Sequence, residues 1–281
     1  MTAAPRPAAP GVRHTRTPLG AELRTVLGLV APVLHRSAAR LWQPQDLRAR
    51  YLRYLVTMHT VIRASVPLME RAQAHCREAP GTDPAARPLG RYLSAHIPRE
   101  RHHDSWLLRD MEAAGLHLGR ELARPPSPEV ARLVGAQYYW IDHFHPLCLL
   151  GYVAVLELNA PAAPLIPWLA DRTGLPPAAF DTLRLHAEID GGHGTAVLGA
   201  LDETAPAPQL RAAVRLSALH TVQALADVLN ALTDATDRTG RPAEREDHRL
   251  DVFPSLKGGG SYGSRREVSC FIADCPPGEL R

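Results

Sequence analysis

Residues 185–194 read LHAEIDGGHG, and the way this stretch folds decides how the rest of the chain is read. At about 100° per residue of helix, His186, Asp190 and His193 fall within roughly a 60° arc, so their side chains can converge on one point. Three such groups can bind a metal, and they also suit an ordinary solvated face. Gly191 and Gly192 sit between the last two. Each glycine costs a helix interior about 1 kcal/mol relative to alanine, so this helix is expected to be the one that loosens when metal is absent.

Working outward, the periodicity predicts further helices. Apolar residues recur at helical spacing from Leu47 to about Cys76, with Pro67 as a kink or junction, and a second helix runs from about Pro88 to Ala114, stopping at Gly115. A third, from about Pro128 to Asn159, is interrupted at Pro146. The turn-rich stretch APAAPLIPWLADRTGLPPAA leads into the helix from about Ala178 that carries the opening motif, and an amphipathic helix follows over roughly 208–236. Nowhere do Val, Ile and Thr alternate with polar residues as strands demand, so the fold class is all-α. Residues 1–20, rich in Pro, Ala and Arg, are expected to be a disordered tail. Residues 21–237 form the domain, and 238–281 make a polar, Gly-rich C-terminal tail.

The balance of 32 basic against 29 acidic residues is spread along the chain, with no basic block that would argue for nucleic acid. The longest apolar run is too short to span a bilayer and the N-terminus lacks a signal-peptide core, so the expectation is a cytoplasmic protein without membrane partners. Four cysteines, Cys76, Cys148, Cys270 and Cys275, are too few for a disulfide scaffold.

Two further constellations carry chemistry. In HIPRERHHDSW, Glu100 and His103 have the E-x-x-H spacing by which helix bundles offer a carboxylate and an imidazole to iron or manganese. In HPLCLLGYVAVLELNA, Glu157 follows a run that must face the core, and a carboxylate buried there needs a cation or hydrogen-bond donors. A helix end near water is the alternative, since Asn159 and Pro161 follow. Together the three clusters offer three carboxylates and three imidazoles, a mixture that suits ferrous iron meeting dioxygen, with Glu157 as the bridging carboxylate. The aromatic run Tyr138, Tyr139 and Trp140 with His143 and His145 is a candidate cavity wall, and His59 and Arg63, at i and i+4, are candidates for a substrate clamp. His59, Arg63, Tyr139 and His143 are the substrate-pocket candidates.

In order and spacing, YLSAHIPRERHHDSWLLRDMEAAG, QYYWIDHFHPLCLLGYVAVLE and DTLRLHAEIDGGHG resemble the haem-oxygenase-like diiron oxidases of the iron-containing redox enzyme family, over about residues 41–236. The resemblance implies a haem-oxygenase-like bundle of about seven helices and two Fe(II) ions held by Glu100, His103, Glu157, His186, Asp190 and His193. It implies dioxygen as co-substrate and a small amino acid, amine or fatty acid as substrate. N-oxygenation, decarboxylation or oxidative C–C cleavage in natural-product biosynthesis is the expected reaction class, with room for an external electron donor and a homodimer. The same fold hosts cofactorless oxidases and thiaminase-like enzymes, and a non-catalytic metal-binding helical protein is the remaining alternative. A thiaminase-like enzyme needs a reactive thiolate, for which Cys148 in its apolar run is poorly suited.

Overall fold

The structure, a computed structural model, describes residues 17–79 and 81–237, without the side chains of 189–191 and 235–237. Both tails therefore lie almost wholly outside the described residues, although Leu19 and Gly20 are buried at the start of the first helix. The described chain is helical throughout: α1 (Leu19–Leu41), α2 (Leu47–Ile62), α3 (Ser65–Glu78), α4 (Ala86–Glu100), α5 (His103–Ala113), α6 (Leu118–Leu122), α7 (Pro128–His143), α8 (Leu149–Glu157), α9 (Leu165–Thr173), α10 (Asp181–Thr204) and α11 (Pro208–Asp237). The number exceeds the expected seven or so because three of the long helices are divided and the short α6 is added. Among the described residues no helix is long and apolar enough to cross a membrane.

The divisions have local causes. Pro67 lacks the N–H that would continue the helix, and the chain breaks just before it, between α2 and α3. Pro146 likewise ends the α7 run in a short 3-10 turn before α8 begins. Ser127 starts α7 by accepting a hydrogen bond from the Val130 N–H at 3.3 Å, and Pro128 occupies the first turn, where its missing donor costs nothing. The predicted helix from Pro88 to Ala114 is not continuous. α4 stops at Glu100, Arg101 is extended, and His102 adopts a left-handed backbone with φ 73° before α5 starts at His103. Gly115, with φ 83°, follows the end of α5 as expected.

The longest helix, α11, packs along α1, α8 and α7, while α10 lies against α1, α8 and α4. Close approach at one crossing depends on glycine: a Cβ on Gly151 of α8 would stand 2.6 Å from the Val214 carbonyl oxygen and 2.9 Å from the Ala218 nitrogen of α11. The core has two apolar clusters. One joins α1, α3, α4, α7, α8, α10 and α11 through residues such as Leu23, Leu93, Leu150, Val197 and Val214. The other joins α2, α5, α9 and the start of α10 through Tyr51, Leu107, Leu169, Phe180 and Leu183. The chain crosses from one cluster to the other at the α4–α5 break and again along α10, and the polar residues collect there.

Candidate metal centre

α4 presents His96 and Glu100 one turn apart on one face. Because the helix ends at Glu100 and the chain turns through His102, His103 swings back toward Glu100, and its Nδ1 lies 3.2 Å from Glu100 Oε2. Glu157 enters from the last residue of α8. α10 supplies His186 and His193 two turns apart on one face and runs unbroken through Gly191 and Gly192, so the expected weak point is a formed helix. Gly194 brings α8 close: a Cβ there would come 2.8 Å from Leu158 Cδ2, next to Glu157.

The result is two donor sets that share one carboxylate. In the first, His96, Glu100, Glu157 and His193 each offer a ligand atom, all within 4.8 Å of one another. His96 Nε2 is 3.6 Å from Glu100 Oε1 and 3.5 Å from Glu157 Oε1. His193 Nδ1 is 3.4 Å from Glu100 Oε1 and 3.4 Å from Glu157 Oε2. In the second, Glu100 Oε2 faces His103 Nδ1, and His186 Nε2 stands 3.2 Å from the same nitrogen. Glu100, not Glu157, thus lies between the sets, because its two oxygens point opposite ways while both oxygens of Glu157 face the first. The Asp190 side chain lies outside the described residues.

These donors fit a metal. The four separations in the first set, 3.4–3.6 Å, are long for hydrogen bonds. The distances from His96 to Glu100 Oε1 and Glu157 Oε1, 3.6 and 3.5 Å, lie near the ligand–ligand spacing, about 3.4 Å, around an ion with bonds of about 2.1 Å, while His193 meets Glu157 at its other oxygen. The two carboxylates and four imidazoles are the oxygen and nitrogen mixture that iron takes. Burial pushes the Glu157 carboxyl upward, but the adjacent His193 and His96 outweigh it and hold it below the usual range. Glu157 in turn raises the His193 imidazole against the effect of burial. Burial, helped by His103, pushes His186 down to about 4, leaving it neutral with a lone pair available at neutral pH.

Aromatic rings fix the imidazoles. Trp106 stacks on His103 at 4.1 Å and reaches His186 at 6.3 Å, while Tyr92 stacks on His96 at 5.0 Å. Asp110 of α5 accepts a hydrogen bond from the Thr182 N–H at 3.0 Å and so ties α5 to the start of α10. A cavity opens beside the first set, lined by Ser65, Met69, Leu149, Tyr152, Val153 and Leu156, with His96, Glu100 and Glu157 at its polar end.

The other pocket candidates stand elsewhere. Tyr139, 64% exposed, packs at a tilt against His143 on the solvent side of α7, and neither lines the cavity. Both sit at i and i+4 on a face that α7 turns to water, while its Val130, Leu133 and Ile141 face the core. Arg63 is exposed at the end of α2, and His59 is buried, with burial and then Arg63 lowering its pKa against Asp104. His145 donates to Asp83 at 3.1 Å and accepts from the Leu147 N–H, roles that start the 3-10 turn. Cys148 is fully buried, and burial pushes its thiol up to about 12. His96, which the sequence reading passed over, carries a legible signal: with Glu100 and His103 it makes H-x-x-x-E-x-x-H.

Comparison with known proteins now bears on this centre. The sequence pattern of the iron-containing redox enzymes matches residues 53–226, which include every donor named above. The chain belongs to that family. No curated protein matches this iron-containing redox enzyme. Among solved structures it resembles a domain of unknown function with a heme oxygenase-like fold from Shewanella denitrificans OS217, with TM-score 0.58 and 16% identity over 80% of this chain and 93% of that one. It also resembles a TenA homolog from Pseudomonas syringae pv. tomato, with TM-score 0.59 and 15% identity over 81% of this chain and 98% of that one. These likenesses show the haem-oxygenase-like fold.

Proposed function

We propose that this iron-containing redox enzyme is a non-haem diiron oxidase or oxygenase. On this reading it uses dioxygen to oxidise a small amino acid, amine or fatty acid, by N-oxygenation or oxidative C–C cleavage, in natural-product biosynthesis. The observation that carries the reading is Glu100, which turns one oxygen to each of two donor sets. Glu100, Glu157 and His193 would hold one Fe(II), and Glu100, His103 and His186 the other, with Asp190 the remaining ligand that the resemblance implies. When bound, a ferrous pair supplies electrons for the reduction of dioxygen.

The chain's own residues supply the rest. Two buried carboxylates and Asp190 offset three of the four positive charges. Trp106 and Tyr92 hold the imidazole planes, so the donor atoms need no rearrangement to meet an ion. Met69, Leu149, Val153 and Leu156 exclude water from the cavity and suit an aliphatic part of the substrate, while the Ser65 and Tyr152 hydroxyls are the polar groups that orient it. The partners are this small molecule, dioxygen and an external electron donor. A thiaminase-like reaction draws no support from Cys148, whose thiol is buried and protonated.

Anaerobic titration with ferrous iron tests the reading: it should saturate at two irons per chain, and a site that holds one iron or none sinks it. Mass spectrometry of amino acids, amines and fatty acids incubated with the ferrous protein and oxygen then identifies the substrate class.

A further inference from the structure

We infer that His96 is a metal ligand at the position of Glu100, Glu157 and His193. The inference rests on the diiron reading above and adds a residue that the six-ligand pattern leaves out. His96 is 2% exposed, and neither of its ring nitrogens has a hydrogen-bond partner among the described residues. Leaving such a group unpaired in a protein interior costs about 1–3 kcal/mol, so its retention needs a reason. The reason is geometric. Nε2 points between two carboxylates at 3.6 and 3.5 Å, distances long for hydrogen bonds and near those between ligands that share one ion. Tyr92 stacks against one side of the ring with planes 19° apart, and His193 meets it edge-on at 4.9 Å, so Nε2 is held toward the carboxylates.

With His96 the first position has two carboxylates and two imidazoles, while the second has Glu100, His103 and His186 among the described side chains.

Cobalt(II), added without oxygen to the full chain, reads this directly. The wild type should take up two ions in two steps. In His96→Ala one step should weaken by at least about a hundredfold while the other persists. His96→Gln, which keeps most of the side-chain volume, should behave the same, with thermal unfolding as the control for folding. Proton NMR of the cobalt-loaded wild type needs no variant: four exchangeable, hyperfine-shifted imidazole N–H lines are expected, one for each histidine ligand. Three lines, or variant titrations that superimpose on the wild type, would overturn the assignment and leave the diiron reading standing. Uptake of a single ion strikes the diiron reading instead, and the imidazole lines at that ion, two with His96 and one without, still decide. No uptake of cobalt overturns both.

Discussion

On one side of Glu100, His96, Glu157 and His193 come from three helices that pack into the larger apolar cluster; on the other, His103 and His186 lean on Trp106 beside a break in the chain. The first set is held by two carboxylates and by helix crossings that a methyl group would disturb, as at Gly194. The second depends on His102 keeping a left-handed backbone that costs a residue with a Cβ about 1–2 kcal/mol. One shared carboxylate therefore joins a position built by packing to a position built by strain. The two positions should therefore respond differently to mutation and to pH.

The largest effect is expected at the shared residue. Glu100→Ala should abolish iron binding at both positions and all oxygen-dependent turnover, measured by ferrous titration and oxygen consumption; retention of one iron at wild-type affinity would mean that the sets do not share it. His193→Ala and His186→Ala should each leave one iron per chain, at opposite positions, and each should stop turnover without unfolding the chain. Identical spectra of the remaining ion in the two variants would erase the distinction between the sets.

A smaller effect separates them by pH in the metal-free chain. His186 titrates at about 4 when folded and near 6.5 when unfolded, so the unfolded chain holds more protons between these values and stability falls as pH drops through that window. The raised His193 contributes stability that is fully present below about 6.5 and lost as pH rises through its folded value. The lowered Glu157 contributes stability present above about 4.5 and lost as pH falls through its folded value. Acidification from pH 7 to 5 should therefore favour the first set and weaken the second. Thermal midpoints of His186→Asn should fall less than those of the wild type across that range. The smallest effect is His102→Gly, which removes the Cβ penalty and should raise stability by up to about 1 kcal/mol, read by denaturant unfolding.

Much of this centre was legible in the sequence. The helical spacing of His186 and His193 and the E-x-x-H pair led to residues that the fold brings together from distant parts of the chain, and Glu157 was singled out by its apolar surroundings. The break at His102 was not legible, because a left-handed residue other than glycine carries no sequence mark and tertiary contacts impose it. Glu157 was the expected bridging carboxylate; in the structure it is Glu100, turned by the α4–α5 break, whose two oxygens face donors of both sets. α1 was passed over although Leu19, Leu23, Leu27 and Leu34 recur at helical spacing, since Pro32 and the adjoining Pro-rich residues blur its start. Tyr139 and His143 show the converse: an aromatic run reads as a cavity wall until the helix face is known.

On the diiron reading, one chain holds two irons in different donor sets joined by Glu100. Mössbauer spectroscopy of the protein loaded anaerobically with ⁵⁷Fe(II) tests it most directly. At one iron per chain a single quadrupole doublet should dominate, and at two a second doublet of different parameters should grow to equal area. Saturation at one iron, or one doublet from the first addition to the last, would contradict the account.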